Sequence, residues 1–215
     1  MNDTATDGLQ LWFDIRPART RTEFRKFRGL NAMAGAANAA RSARQMWLAH
    51  KAGLLSTGLE PDHAQTLDDA WARGGLPAAV AARSIALVAI SDDEIVGGLT
   101  AGPSYRAISP LGLAAPDLAR HAVEIMAKIH TITVIPEYQG VGIGHALIRR
   151  SIDTYTAAGA KIIYGQFTTA TGQARFYSRC GLTVHTPATA LSFAEHGLPT
   201  GQMPRSDETL FSIAL

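Results

Sequence analysis

The segment Ile129–Arg150, IHTITVIPEYQGVGIGHALIRR, constrains the fold more than any other part of the sequence. Its first residues are rich in β-branched side chains, which favours a strand that Pro136 ends, because proline cannot donate to a sheet ladder. A glycine-rich turn follows, and apolar residues then recur at helical spacing. In such a strand–turn–helix unit, main-chain N–H groups converge at the helix N-terminus, where the helix dipole favours negative charge. The segment therefore predicts a site for a phosphate-bearing ligand.

The flanking segments indicate an α/β fold around this unit. The helix after the turn is expected to end at Gly159, and a strand over 161–167 would then lie parallel to the first one. Upstream, two apolar runs joined by acidic residues predict an antiparallel hairpin over 84–101. Further strands are predicted over 122–135, 182–193 and 209–214, and loops over 102–117 and 196–207.

The N-terminal part of the chain is predicted to be mainly helical. Residues 22–55 contain no proline and are rich in Ala, Arg, Leu and Met, which predicts one or two helices with a break near 29–31 or at Gly35. A first strand is expected over 9–15, and a further helix over 60–73, closed by two glycines. Basic residues concentrate here. They form either a patch for an acidic partner or, as we favour, the solvated faces of amphipathic helices.

Net charge, cysteine content and the lengths of apolar runs limit the classes of function that we expect. A net charge of +2 on 215 residues does not by itself argue for nucleic-acid binding. The single cysteine, Cys180, excludes an internal disulfide framework and fits a reducing compartment. The start does not resemble a signal peptide, and no run of about 18 apolar residues predicts a membrane span. We therefore expect a cytoplasmic protein that binds no membrane and, because its histidines lack ligand spacing, no metal.

The glycine-rich turn alone is compatible with several ligands. A dinucleotide fingerprint needs G-x-G-x-x-G, but Gly140, Gly142 and Gly144 give G-x-G-x-G, with His145 at the position of the third glycine. No acidic residue ends the next predicted strand, and no Gly-Lys-Ser/Thr follows, as it would in a P-loop. A purely structural turn is a third interpretation, although three alternating glycines exceed what a turn requires.

Two motifs in the expected order resemble those of the GCN5-related N-acetyltransferase (GNAT) superfamily. Residues 134–144, VIPEYQGVGIG, contain a valine, a proline and Q-x-x-G-x-G, which is similar to the family's acetyl-CoA motif Q/R-x-x-G-x-G/A. Residues 174–182, ARFYSRCGL, resemble its A-x-x-F-Y-x-x-x-G-F segment, with one residue fewer between Ala and Phe. The close match covers 129–182.

The resemblance implies an α/β fold with a mixed, mostly antiparallel twisted sheet, a splayed central pair of strands and flanking helices. It implies one domain over 1–215, with a helical N-terminal portion over 16–83 and an acetyl-CoA-binding core over 122–182. The expected activity is direct transfer of an acetyl group from acetyl-CoA to a primary amine of a small molecule or protein. The protein could form a homodimer. The rival hypothesis is a non-catalytic module on the same fold that binds acyl-CoA, RNA or a protein.

The resemblance also assigns roles in cofactor binding. The main chain of the strand before the turn would pair with the pantetheine arm, and the turn amides would hold the pyrophosphate. The expected cofactor-binding residues are Ile132, Thr133, Val134, Gln139, Gly140, Val141, Gly142, Ile143, Gly144, Thr171, Ala174 and Phe176. Thr171 stands near a position where many relatives have an Asn that contacts the cofactor arm.

Three residues are candidates for proton transfer. Tyr177 matches the family tyrosine that protonates the leaving thiolate; the alternative is a core aromatic. Strand alternation would place one set of side chains on a single face: Glu124, Lys128, His130, Ile132 and Val134. His130 is the preferred general base because its intrinsic pKa lies near working pH, and Glu124 is the second candidate. A histidine without a catalytic role and a base formed by a water chain are the alternatives.

Overall fold

The computed structural model describes residues 12–60 and 63–215. Its strands are β1 (Asp14–Pro17), β2 (Ile85–Ser91), β3 (Glu94–Gly102), β4 (Met126–Val134), β5 (Ile162–Thr168), β6 (Thr183–Val184), β7 (Leu191–Ser192), β8 (Gly201–Gln202) and β9 (Glu208–Ala214). Its helices are α1 (Arg21–Met33), α2 (Ala39–Lys51), α3 (His63–Ala82), α4 (Tyr105–Ala114), α5 (Pro116–Ile125), α6 (Ile143–Ala157) and α7 (Ala174–Arg179). Within the described ranges, no helix is both long and apolar enough to span a bilayer.

Seven strands form one mixed sheet in the order β1-β2-β3-β4-β5-β9-β6. Every neighbouring pair is antiparallel except β4 and β5. The parallel pairing joins Met126–Ile129 to Ile162–Gly165 and stops there, although both strands continue. The central strands therefore part beyond this point. This confirms the predicted α/β fold with a splayed central pair.

Helices cover both faces of the central strands. On β4, Ile132 and Val134 pack into a hydrophobic cluster that includes Leu147 of α6. Thr131 and Thr133, which alternate with them, hydrogen-bond to the C-terminal part of α1 on the opposite face. The parting of β4 and β5 is thus enclosed by α6 on one side and reached by α1 from the other.

The N-terminal helices begin and end where local sequence directs them. Thr20 and Glu23 form a capping box, in which each side chain accepts the other's backbone N–H, at 3.2 and 3.0 Å. Gly35, with φ of +78°, lies in the turn between α1 and α2, so the predicted break at Gly35 is confirmed and the one near 29–31 is wrong. The hairpin over 84–101 is confirmed as β2 and β3.

Several predicted boundaries are wrong. The predicted loop over 102–117 contains α4, whose Ile108 is buried, so packing outweighs its proline and glycine. The predicted strand over 122–135 is divided: its first residues belong to α5, which Pro116 begins, and the strand starts at Met126. By contrast, the predicted helix end at Gly74 and Gly75 is confirmed, because both glycines have non-helical backbone angles, and a second helical segment then continues to Ala82.

The predicted terminal strands are also shorter or displaced. The strand over 182–193 is reduced to β6 and β7, and the loop over 196–207 contains β8. The first strand is β1, and the part of that prediction before residue 12 lies outside the described residues.

A buried arginine ties distant parts of the chain together. Arg83 follows α3 and is 1% exposed. Its Nη1 donates to the carbonyl oxygens of Gly58, at 2.8 Å, and of Ala158, at 3.1 Å, and its Nη2 donates to the carbonyl of Glu124. The Tyr155 hydroxyl donates to the Arg83 carbonyl at 2.9 Å. One side chain thus joins the N-terminal region to the ends of α5 and α6.

Candidate active site

The parting of β4 and β5 opens into a cleft of about 580 Å³ between β4, the N-terminus of α6 and α7. We call it the β4–β5 cleft. Its wall contains the predicted catalytic residue Tyr177 and most of the predicted binding residues: Ile132, Thr133, Val134, Gln139, Gly140, Gly142, Ile143, Gly144 and Phe176. Two segments far apart in sequence therefore meet at one site.

The N-terminus of α6 points unpaired N–H groups at this cleft. Gly142 is the N-cap, and no side chain caps the helix. The first intrahelical bond runs from Ala146 N–H to the Gly142 carbonyl at 3.0 Å, so the N–H groups of Ile143, Gly144 and His145 have no acceptor within the helix. Such groups, together with the helix dipole, form an anion site.

The glycines of the turn serve two different purposes. Gly142 has φ of +96°, which disfavours any other residue, and a Cβ there would meet no protein atom within 4 Å. Its surroundings therefore leave space for a ligand. Gly144 has no such backbone constraint, but a Cβ there would lie 3.1 Å from the Phe176 ring. Gly144 thus allows α7 to pack against α6.

The edge of β4 offers main-chain hydrogen bonds to the cleft. Ile135 N–H donates to the Val96 carbonyl at 2.9 Å, so the alternate residues Ile132 and Val134 direct their main-chain groups away from β3, towards the gap. The Gln139 side chain donates to the Val134 carbonyl at 2.9 Å, as this direction requires. An extended ligand could pair with this edge as an added strand does.

Tyr177 lies at the base of the cleft on α7. Its ring stacks on Phe211, with 3.9 Å between centroids, and contacts Phe167, so its position is fixed by packing. The residue is 4% exposed. Burial, and then Cys180, raise the pKa of Tyr177, which keeps the phenol protonated at neutral pH. Both proposed roles, core aromatic and proton donor, fit this position.

Other residues that line the cleft do not stand at the defined positions of either sequence motif. Met33 and Ala34, at the end of α1, contribute to the cleft, as do Tyr138, His145 and Gln173. The cations Arg175 and Arg179 also line it, and their spacing of four residues on α7 could have indicated a shared helix face.

Three predicted binding residues do not line the cleft. Val141 is 44% exposed and lies outside the cleft wall. Thr171 donates its hydroxyl to the Thr168 carbonyl at 2.6 Å, and Ala174 is exposed at the start of α7. The roles of these three residues in cofactor binding therefore stay predictions.

A β-bulge corrects the predicted alternation on β4. Thr131 pairs with Thr100 and Ile129 with Ala101, so His130 is an extra residue opposite the Thr100–Ala101 step. The bulge reverses the alternation, which separates Lys128 from Ile132 and Val134. The prediction of one shared face is therefore wrong.

The structure places the two candidates for the general base, His130 and Glu124, on different elements. Glu124 belongs to α5 and not to the strand, so the argument that placed it beside the site is wrong. Solvent reaches the His130 side chain, although protein surrounds it closely. That surrounding protein, and then Lys128, lower the pKa of His130 from 6.5 to about 4, while a hydrogen bond with the Gly102 main chain opposes the shift. His130 does not line the cleft wall.

Comparison with known proteins shows the family. The sequence matches the acetyltransferase (GNAT) family model over residues 47–182, more than half of the chain. The chain belongs to the GNAT acetyltransferase family. No curated protein sequence gives a significant match.

Solved structures share the GNAT fold with this chain. A GNAT-family acetyltransferase from Desulfovibrio desulfuricans is 16% identical, with 94% of this chain and 99% of that one covered and a TM-score of 0.53. An acetyltransferase structure from Salmonella typhimurium with its cofactor acetyl-CoA is 16% identical, with 95% and 94% covered and a TM-score of 0.54. A GNAT-family acetyltransferase from Elizabethkingia anophelis with acetyl-CoA bound is 15% identical, with 94% and 98% covered and a TM-score of 0.50. At these identities the likeness concerns the fold.

Proposed function

We propose that this protein transfers an acetyl group from acetyl-CoA to an amine and that the β4–β5 cleft is where acetyl-CoA binds. The observation that carries the proposal is the meeting of three features in one cleft. These are the open edge of β4, the uncapped N-terminus of α6 and Tyr177, which lines the cleft and is 4% exposed. Family membership supports acyl transfer, whereas the amine acceptor rests on the motif resemblance alone.

The residues present fit a coenzyme A ester. Space beside Gly140 and Gly142 leaves the α6 N-terminus accessible, and its free N–H groups suit a pyrophosphate. Arg175 and Arg179 add positive charge at the same cleft. The main-chain groups of β4 suit the amide-containing arm. When bound, acetyl-CoA supplies an activated acyl group and a thiol leaving group.

Two side chains of this protein would transfer protons in the proposed reaction. Tyr177 holds a proton on its phenol oxygen because burial raises its pKa, and it can donate that proton to a sulfur that gains charge in the cleft. His130 stays neutral at pH 7 because its pKa is lowered, so it can accept a proton from an amine, through water since it does not line the cleft. A main-chain N–H of β4 can stabilise the developing oxyanion.

Two measurements test the proposal. Isothermal calorimetry should show that acetyl-CoA binds the purified protein, and thiol release across a panel of amines should show turnover. If calorimetry shows no binding and added acetyl-CoA does not shift the melting temperature, the acetyl-CoA site is refuted. Binding without thiol release from any amine, including protein lysines, would favour a non-catalytic acyl-CoA module. The variant Val141→Ala, which changes an exposed residue of the same turn, should behave as the wild type.

A further inference from the structure

Helices α1 and α2 form a groove whose rims carry five cations. Arg21, Arg25 and Arg28 lie along α1, and Arg44 and Lys51 lie along α2, around a cavity of about 860 Å³. We call this the basic groove. The spacings of four and three residues place the α1 cations on one helix face, in a row about 10 Å long. The α2 cations, seven residues apart, extend over a similar length.

The cations of the basic groove are not neutralised by the protein. Residues 16–51 contain nine Lys and Arg side chains and one carboxylate, Glu23. That carboxylate is already bonded to Arg16, at 2.6 Å, and to the backbone at the start of α1. Within residues 12–60 and 63–215, the five groove cations make no ion pair. Like charges at these helical spacings repel each other, so the arrangement costs helix stability unless an anion binds.

The floor of the basic groove is apolar. It contains Phe24, Trp47, Ala40 and Ala43, and Leu48 is 49% exposed at its side. A groove with cationic rims and an apolar floor matches a ligand that has carboxylates on its flanks and apolar side chains along its centre. An amphipathic helix rich in Asp and Glu presents that pattern and can lie along a groove between two helices.

Nucleic acid is a poorer match for two reasons. The Trp47 ring already contacts the rings of Phe24 and His50, each at 5.7 Å between centroids, which leaves little free aromatic surface for a base. Residues 16–51 carry a formal charge of +8, nine cations against one anion, so a total of +2 leaves −6 on the rest of the chain. A long polyanion would extend from the groove towards this negative remainder, whereas a short helix would not.

We propose that the basic groove is a docking surface for an acidic amphipathic helix of a partner protein. Arginine is well suited to this role because its guanidinium binds carboxylates through two parallel hydrogen bonds. The basic groove and the β4–β5 cleft share no lining residue. The docked helix therefore leaves the cleft open, and the proposal does not depend on the proposed acetyl transfer.

Binding of a labelled probe peptide to the full chain tests the proposal. The probe is an amphipathic peptide of about 16 residues, long enough to span the groove, with leucines on one helical face and glutamates on its flanks. Fluorescence anisotropy at about 50 mM salt should show saturable binding, because charge attraction is weakly screened there. An equimolar unlabelled oligouridine should not displace the probe. No binding of the peptide, or tighter binding of oligouridine, would overturn the proposal.

A matched pair of double variants distinguishes peptide binding in the basic groove from general attraction by net charge. The double variant Arg25→Glu with Arg44→Glu reverses one cation on each rim and should weaken peptide binding at least about tenfold. The control, Lys26→Glu with Arg41→Glu, changes the net charge equally on exposed positions of the same helices outside the groove. It should weaken binding less than about threefold. Equal loss in both variants would overturn the proposal. The far-ultraviolet circular dichroism and melting temperature of each variant show whether the fold is retained.

Discussion

The β4–β5 cleft and the basic groove both favour anions, but they do so with different parts of the chain. The cleft uses main-chain N–H groups at the start of α6, held in place by glycine conformations. The groove uses side-chain charges on two helix faces, with no special backbone conformation. A main-chain site recognises shape and fails when the backbone changes. A side-chain site recognises charge, and its affinity falls as ionic strength rises.

The largest expected effect concerns the one side chain in the cleft to which we assign chemistry. Tyr177→Phe should lower turnover about 100-fold, the scale of one lost general acid, and leave acetyl-CoA affinity within about twofold. Steady-state thiol release and calorimetry measure the two quantities. Tyr138→Phe is the control, because Tyr138 lines the same cleft without a proposed role. Equal losses in both variants would remove Tyr177 as the proton donor.

A substitution at Gly142 tests whether the cleft binds its ligand through main-chain groups. Gly142→Val should reduce acetyl-CoA affinity about 30-fold, because φ of +96° is strained for valine and its side chain would enter the ligand space. Peptide binding to the basic groove should be unchanged in the same variant. Calorimetry and anisotropy measure the two affinities, and an unchanged acetyl-CoA affinity would mean that the turn amides do not bind the ligand.

The pH dependence should identify the role of His130. The pKa of about 4 predicts that wild-type turnover falls as pH drops below about 5, where the imidazole of the folded protein begins to take up a proton. His130→Gln should reduce turnover at pH 7.5 about tenfold and remove that acidic limb. Rate profiles from about pH 3.5 to 8 measure this, with melting temperature recorded at each pH. The same shift makes the folded state less stable below pH 6.5, and this dependence should also disappear. An unaltered rate profile would leave the base to water.

Salt should separate the two anion sites. Between about 50 and 300 mM salt, the dissociation constant of the probe peptide should rise about tenfold, because the groove cations are exposed. The constant for acetyl-CoA should change about threefold or less, since its contacts are made largely by main-chain groups. Equal salt dependence at both sites would contradict the division between main-chain and side-chain recognition.

The smallest expected effect is at Gly144. Gly144→Ala should destabilise the fold by about 1 kcal/mol because its Cβ would press on the Phe176 ring at 3.1 Å. Phe176→Leu in the same chain should restore part of this stability, since leucine is smaller at the contact. Urea unfolding of the single and double variants measures the change. A loss of acetyl-CoA affinity without a loss of stability would mean that Gly144 faces the ligand instead.

The sequence predicted those parts of the molecule whose structure follows from local backbone chemistry. The strand end at Pro136, the turn through Gly142 and the helix end at Gly159 each have a local physical cause. The aromatic pair of α7 was found through its motif, and the structure places it against the turn. These features define most of the β4–β5 cleft.

The features that sequence reasoning missed depend on contacts between distant residues. The bulge at His130 arises from the pairing of β4 with β3, which no local pattern reveals. Met33 reaches the cleft only because Thr131 and Thr133 hold α1 against β4. The basic groove was visible as a run of cations, but its apolar floor required α1 and α2 to pack together.

The Arg83 side chain has a consequence for how the molecule unfolds. Its three carbonyl acceptors belong to Gly58, to Glu124 and to Ala158, so release of any one segment would remove one acceptor from a buried guanidinium. The helical N-terminal portion and the region around α6 should therefore melt in one calorimetric transition. Residues 122–182 expressed alone would lack Arg83 and the neighbouring strands β3 and β9, and are expected to be unfolded.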